Sequence, residues 1–206
     1  SYRYLFEALQ PHVLLGLTAT PERMDGQSLL PDFNHHFAAE IRLLEALVEK
    51  LLCPFHYFGV TDPISLKDES FWSNGQYDVT ALSQVYTGDD LRALQRLDVI
   101  LQSIETYHPY GEKTRGVGFC VSVEHAHYMA NNFQKAQLKA SVILGGTSAE
   151  ERIQRLQDFR NGRLNYLFVV DVFSEGVDIP EINLVMFLRP TQSLTVFLQQ
   201  LGRGLR

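Results

Sequence analysis

Cysteine is scarce in this chain. Two thiols, Cys53 and Cys120, in 206 residues cannot make a disulfide framework, which excludes a small stapled secreted scaffold and leads us to expect a reducing, cytoplasmic setting. Cys120 lies in the apolar run Gly118-Phe119-Cys120-Val121, where a thiol behaves as a small hydrophobe. No apolar run approaches the roughly 18 residues of a membrane helix. The opening residues, Ser1-Tyr2-Arg3-Tyr4, lack the basic stretch leading into a long apolar one that marks a secretory signal. They also lack an initial Met, so a piece of a longer protein is expected. An excess of positive charge is missing too: 18 Lys and Arg stand against 24 Asp and Glu, a net charge of −6. That argues against a protein that holds nucleic acid by sheer basicity.

Several chemical signatures are absent as well. A phosphate-cradling loop reads G-x-x-x-x-G-K-[ST]. Gly111-Glu112-Lys113-Thr114 has the Lys-Thr but glutamate where the second glycine belongs. A magnesium-binding Asp-Glu pair should follow an apolar strand, and Asp68-Glu69 follows the poor strand Ile64-Ser65-Leu66-Lys67. Cys53 and His56, near His35 and His36, lack the paired spacing of zinc sites, so no metal site is expected in this chain. There is no internal repeat and no low-complexity tract.

What is present is ordinary globular material, 45% hydrophobic and 20% charged, enough for one or two domains with a buried core. The charge is uneven. Residues 1–106 hold 7 Lys and Arg against 15 Asp and Glu, a sum of −8, and residues 107–206 hold 11 against 9, a sum of +2.

The second half alternates apolar runs with segments of helical period. Residues 117–123 read as a buried strand. Ala126, Met129, Ala130 and Phe133 form a helix stripe over 124–134. Residues 141–144 read as a second strand, closed by Gly145-Gly146. Ser148 and Glu151 have the spacing of a capping box, and the helix carrying Ile153, Leu156 and Phe159 stops at Asn161-Gly162. Residues 164–170 and 182–188 read as third and fourth strands. Ser193 can cap a last helix bearing Leu194, Phe197, Leu198 and Leu201. This rhythm predicts an α/β fold, an open parallel sheet with helices on both faces. Function in such sheets lies in loops at the strands' carboxyl ends, here 122–124, 145–148, 171–180 and 189–193.

The first half is less regular. A short helix over 4–9 precedes a strand over 12–17, which ends in Thr18-Ala19-Thr20-Pro21. Leu43, Leu44, Leu47 and Leu51 mark a helix, and 55–60 reads as an extended strand. Residues 67–88 have weak periodicity. Leu91, Leu94, Leu97, Leu101 and Ile104 mark a helix that Asp89 or Asp90 could cap. We expect residues 1–30 to be the end of one α/β unit, 31–106 a connector or accessory segment, and 107–206 a second unit cut short at its end.

Four segments in order carry a family resemblance. Leu17-Thr18-Ala19-Thr20-Pro21 is similar to the motif that ends the first motor domain of superfamily 2 helicases. Gly118-Phe119-Cys120-Val121-Ser122 with His125-Ala126 is similar to the motif that opens the second. Val170-Asp171-Val172-Phe173-Ser174-Glu175-Gly176-Val177-Asp178-Ile179-Pro180 resembles the fifth motif. Gln199-Gln200-Leu201-Gly202-Arg203-Gly204-Leu205-Arg206 resembles the sixth, Q-x-x-G-R-x-x-R. Leu-Thr-Ala-Thr-Pro alone is weak, but the ordered conjunction is specific. The resemblance covers 115–206 closely and 1–30 loosely. It is to DEAD/DEAH-like helicases of the bacterial type III restriction and repair-helicase kind, and it implies a RecA-like motor domain.

The resemblance implies an ATP-dependent DNA helicase or translocase, using ATP and Mg2+, in which two such domains sandwich the nucleotide and nucleic acid crosses both. Arg203 and Arg206 would be the arginine fingers, with Gln199 one helical turn before Arg203. Gly202 would let the backbone come close. Gly176 and Asp178 would meet the nucleotide. Thr18, Thr20, Ser122 and Asp171 would hold nucleic acid or couple it to the nucleotide. Arg23 reads as solvated. The main phosphate and magnesium ligands would lie outside this chain, so the chain alone is expected to be inactive. Two other readings stay open: an ATPase-inactive docking module for nucleic acid or protein, and the motor subunit of a restriction or phage-defence system.

Overall fold

A computed structural model describes residues 2–18, 28–88, 91–170 and 179–206. Its core is a four-stranded sheet made of β3 (Gly116–Phe119), β4 (Ala140–Ile143), β5 (Tyr166–Val169) and β6 (Leu184–Phe187), all parallel, in the order β4-β5-β3-β6. Gly116 stands opposite Tyr166 on one side and Leu184 on the other. A two-stranded antiparallel hairpin, β1 (Trp72–Ser73) and β2 (Gln76–Tyr77), lies apart from it.

Strand alternation sorts the side chains into two layers. On one face Cys120, Ala140, Val142, Tyr166, Phe168, Met186 and Leu188 pack with Ala126, Met129, Ala130 and Phe133 of helix α5 (Val123–Lys135). Helix α4 (Leu91–Tyr107) adds Leu97, Ile100, Leu101 and Ile104 to that face. On the other face Val117, Phe119, Ile143, Leu167 and Val169 pack with Leu156 and Phe159 of helix α6 (Ala149–Arg160). The predicted α/β architecture, with helices on both faces, is therefore observed.

Two glycines on β3 have a packing role. A side-chain carbon at Gly118 would come within 2.6 Å of Phe168 Cδ1, and one at Gly116 within 2.8 Å of Tyr166 Cδ1. Their absence lets both rings lie across β3, where Phe133 meets each edge-to-face at 4.8 and 5.0 Å. Such geometry adds to the burial of the rings themselves.

The first half departs from the sequence expectation. Helix α1 (Tyr2–Leu9) forms, but residues 12–17 and 55–60 make no strand, and Val13, Leu15 and Leu17 stay exposed. Apolar alternation becomes a strand only beside a ladder partner, and neither segment has one among the described residues. Helix α2 (Leu43–Val48) is short and buries Ala46, leaving Leu44 and Leu51 in solvent. Sequence reading missed helix α3 (Val79–Thr87), which Asp78 caps by accepting the Ala81 N–H at 2.9 Å. It buries Leu82 and Tyr86 against Ile64 and Val121. The expected caps of α4, Asp89 and Asp90, lie outside the described residues.

The rejected chemical signatures turn out to have local structural roles. Gly111–Lys113 is a 3-10 turn. Asp68 caps another over Glu69–Phe71, accepting the Ser70 N–H at 2.8 Å.

Candidate functional site

The carboxyl edge of the sheet gathers the loops after β3, β4 and β6. After β3, Ser122 caps α5 by accepting the His125 N–H at 3.0 Å, and its hydroxyl lies 2.6 Å from that of Ser83 in α3. Ser122 is buried. Its hydroxyl is therefore already committed twice within the protein.

His125 is fully buried, and burial together with the neighbouring Arg96 charge lowers its pKa to about 3, so the ring is neutral. The Val121 N–H points at Nδ1 from 3.3 Å, and Arg96 Nη1 lies 3.4 Å from Nε2. A neutral imidazole has one acceptor nitrogen, so the ring serves one of these donors at a time. Burial also pushes the Cys120 thiol far up. That leaves it an inert apolar filler, as its sequence setting suggested.

Arg96 of α4 is a functional candidate that sequence reading missed, because a lone arginine in a helix reads as solvated. It is 6% exposed. Its Nε donates to Asp62 Oδ2 at 2.7 Å and its Nη2 to the Leu188 carbonyl at 2.9 Å. Its Cζ sits 4.0 Å above the Tyr86 ring. Burial, opposed by this cation, raises the Tyr86 phenol to about 12. Leu188 is the residue after which the β6 loop begins, so this guanidinium fixes the loop's starting point.

After β4, Thr147 closes the loop, its Oγ1 accepting the Leu144 N–H at 2.9 Å. Ser148 caps α6 through the Glu151 N–H at 3.2 Å. The reciprocal half of the expected box is replaced, for the Glu151 carboxylate lies 3.8 Å from Arg155 instead. At the far end of α6, Gly162 takes the left-handed conformation, φ 76°, that the stop signal implied.

After β6, Thr191 Oγ1 accepts the Ser193 N–H at 3.2 Å, and Ser193 caps helix α7 (Leu194–Leu201), accepting the Val196 N–H at 3.2 Å. Of the expected stripe on α7, Leu201 is buried but Leu194 is exposed, and Gln200, outside that stripe, is buried. The α-helix ends at Leu201, and Gly202–Gly204 form a 3-10 turn. Arg203 therefore stands on that turn, beyond the helical face that carries Gln199.

Gly202 meets nothing within 4 Å among the described residues, whereas a side-chain carbon at Gly204 would come within 2.8 Å of Val185 Cγ2. The small size of Gly204 lets the turn dock on β6. Arg203 is half-buried and Arg206 exposed. Cys53 fastens the far end of the turn: its N–H donates to the Leu205 carbonyl at 3.0 Å, and its thiol reaches the Gly204 carbonyl at 3.4 Å.

The structure thus places Gln199, Gly202, Arg203 and Arg206 on one short segment beside β6, and Ser122 at the carboxyl end of β3, the strand that pairs with β6. Thr18 lies in the exposed stretch after α1. Thr20, Arg23, Asp171, Gly176 and Asp178 lie outside the described residues. A cleft of about 890 Å³ lies beside β6, lined among others by Phe58, Tyr107, Met186, Arg96 and Arg206. It runs along β6 from Ile182 to Leu188 and borders the arginine turn at Gly204, Leu205 and Arg206.

Residues 95–206 match the helicase conserved C-terminal domain. The chain is also similar over its full length, at 30% identity, to a 51.5 kDa protein of a Lactococcus phage (isolate 7-9), of which it covers 43%. It is 27% identical over 94% of its length to the putative ATP-dependent helicase IRC3 of Saccharomyces cerevisiae, of which it covers 27%. Among solved structures it resembles the E. coli DEAD-box protein SrmB bound to regulator of ribonuclease activity A. The identity is 25% and the TM-score 0.50, over 57% of this chain and 66% of that one. The sheet is thus the RecA-like motor sheet of a superfamily 2, DEAD/DEAH-like helicase. The chain belongs to the helicase conserved C-terminal domain family. It spans less than half the length of these two curated relatives.

Proposed function

We propose that this chain supplies the arginine side of the ATP site, and part of the nucleic-acid track, of an ATP-dependent helicase or translocase. The observation that supports the reading is the arginine turn: Arg203 lies on the 3-10 turn, Arg206 follows two residues after its end, and the segment is docked to β6 through Gly204 and to the connector through Cys53. Phosphoryl transfer builds charge on the γ-phosphate oxygens, and a positioned guanidinium lowers that barrier by ~10³–10⁵ in rate. Arginine keeps its charge and offers a planar fork that fits phosphate oxygens. The same chemistry does not hold a magnesium ion, so Mg2+ and the phosphate cradle fall to carboxylates and a glycine loop of the other motor half.

In this reading residues 1–30 belong to the first motor domain, 31–106 connect, and 107–206 form the second, with α4 reaching from the connector onto the sheet. Gly176 and Asp178 contact the nucleotide. Asp171, Thr18 and Thr20 couple it to nucleic acid. Ser122 contributes by capping α5 so that the first turn of that helix faces the track. The track binds phosphates through backbone and hydroxyl donors, and DNA is the first polymer to try.

The test is ATP turnover by the full-length protein with and without single-stranded DNA or RNA. The reading expects turnover that nucleic acid stimulates and that Arg203→Ala abolishes. Undiminished turnover in Arg203→Ala would place the site elsewhere.

A further inference from the structure

Arg96 belongs to none of the segments with motif resemblance, yet its guanidinium joins four pieces of the chain. It bonds Asp62 of the connector and the Leu188 carbonyl at the end of β6, faces His125 of α5, and stacks on Tyr86 of α3. The connector therefore grips the segment 188–205 at both ends. At its start, Asp62 holds Arg96, which holds Leu188. At its finish, Cys53 holds Gly204 and Leu205. Asp62 is itself fixed, because its other carboxylate oxygen accepts the Ile64 N–H at 2.9 Å. Between these anchors lie the β6 loop, α7 and the arginine turn.

We infer that Arg96 is a positioning residue for Arg203 and Arg206, an inference that rests on the reading of those two arginines given above. Buried cations seldom gain stability over apolar replacements, so stability alone does not account for Arg96. Its geometry does: one planar group bonds a connector carboxylate and the carbonyl that follows β6 at the same time. A lysine in its place carries the charge but lacks the planar fork that makes both bonds at once. Misplacing a catalytic group by about 1 Å costs ~10²-fold in rate. Loosening the start of the β6 loop should therefore appear as slower chemistry with ATP still bound.

The experiment uses the full-length protein and steady-state ATP turnover with single-stranded DNA, for wild type, Arg96→Lys, Asp62→Asn, Arg203→Lys and the double variant Arg96→Lys/Arg203→Lys. Arg96→Lys should lower kcat roughly tenfold or more while KM for ATP moves by less than about twofold. Asp62→Asn should move kcat the same way by less. The double variant should be no slower than Arg203→Lys, because a residue that acts through Arg203 has nothing left to position.

Unchanged kcat in folded Arg96→Lys and Asp62→Asn, or losses that multiply in the double variant, would overturn the inference while leaving the arginine turn in place. If Arg96→Lys fails to melt cooperatively, Asp62→Asn decides alone. A wild type without turnover, or full turnover in Arg203→Lys, would instead bring down the reading of the site, and this inference with it.

Discussion

At the scale of single residues, the site edge depends on side chains whose chemistry is set by burial. His125 is the clearest case. Its ring titrates near 3 in the fold, held down first by burial and then by Arg96, against about 6.5 in an unfolded chain. Between these values the unfolded chain binds a proton that the fold refuses. The contribution of His125 is thus complete above pH 6.5 and is lost as pH falls toward 3. By pH 5 the loss amounts to about 2 kcal/mol. Melting curves of wild type and His125→Asn between pH 7 and pH 5 check this: wild type should lose more, and parallel slopes would mean that His125 does not titrate as described. Gly118→Ala should cost about 1–3 kcal/mol, because the new methyl lands on Phe168 and an overfilled core must shift. Chemical denaturation measures it, and a neutral result would mean that Phe168 can swing aside.

At the scale of elements, helix termini decide where the functional segments begin. Ser193→Ala removes the α7 cap and should cost about 1 kcal/mol in denaturant unfolding. Loss of nucleotide turnover greater than that of stability would show that the cap also sets the arginine turn.

The caps were the most legible part of the sequence. Ser148 and Ser193 each stood ahead of a helical stripe, and each accepts the expected first-turn amide. The four sheet strands were legible as apolar runs because both of their faces are buried. The first half was harder to read. The strands expected at 12–17 and 55–60 fail because alternation describes a side-chain pattern and says nothing about a ladder partner. Helix α3 was missed because Thr80, Ser83, Gln84 and Thr87 dilute its stripe of Leu82 and Tyr86. The site was legible only as motifs. Arg203 and Arg206 could be named, but the strap formed by Cys53, Asp62 and Arg96 joins residues far apart in sequence, and no local pattern carries it.

At the scale of the whole molecule, charge limits what the chain can do alone. A net charge of −6 opposes a polyanion, and in the proposed reading the chain supplies only part of a nucleic-acid track. Binding of a single-stranded oligonucleotide to the 206-residue chain should be weak and should fall steeply with added salt, as counterion release requires. Fluorescence anisotropy over a salt series measures this, and tight binding that ignores salt would favour a docking module over half of a motor.

The central claim, that Arg203 acts on developing phosphate charge, is tested most directly in the full-length protein by measuring the ATP hydrolysis rate and melting temperature of Arg203→Lys beside wild type. Arg203 lies on the docked turn, half-buried and outside the buried core. Its replacement by another long cation should therefore cost little stability, within about 0.5 kcal/mol. Hydrolysis should fall by ~10²-fold or more, because lysine lacks the planar fork. A variant that melts much earlier yet hydrolyses ATP at the wild-type rate would contradict the account and make Arg203 a structural residue.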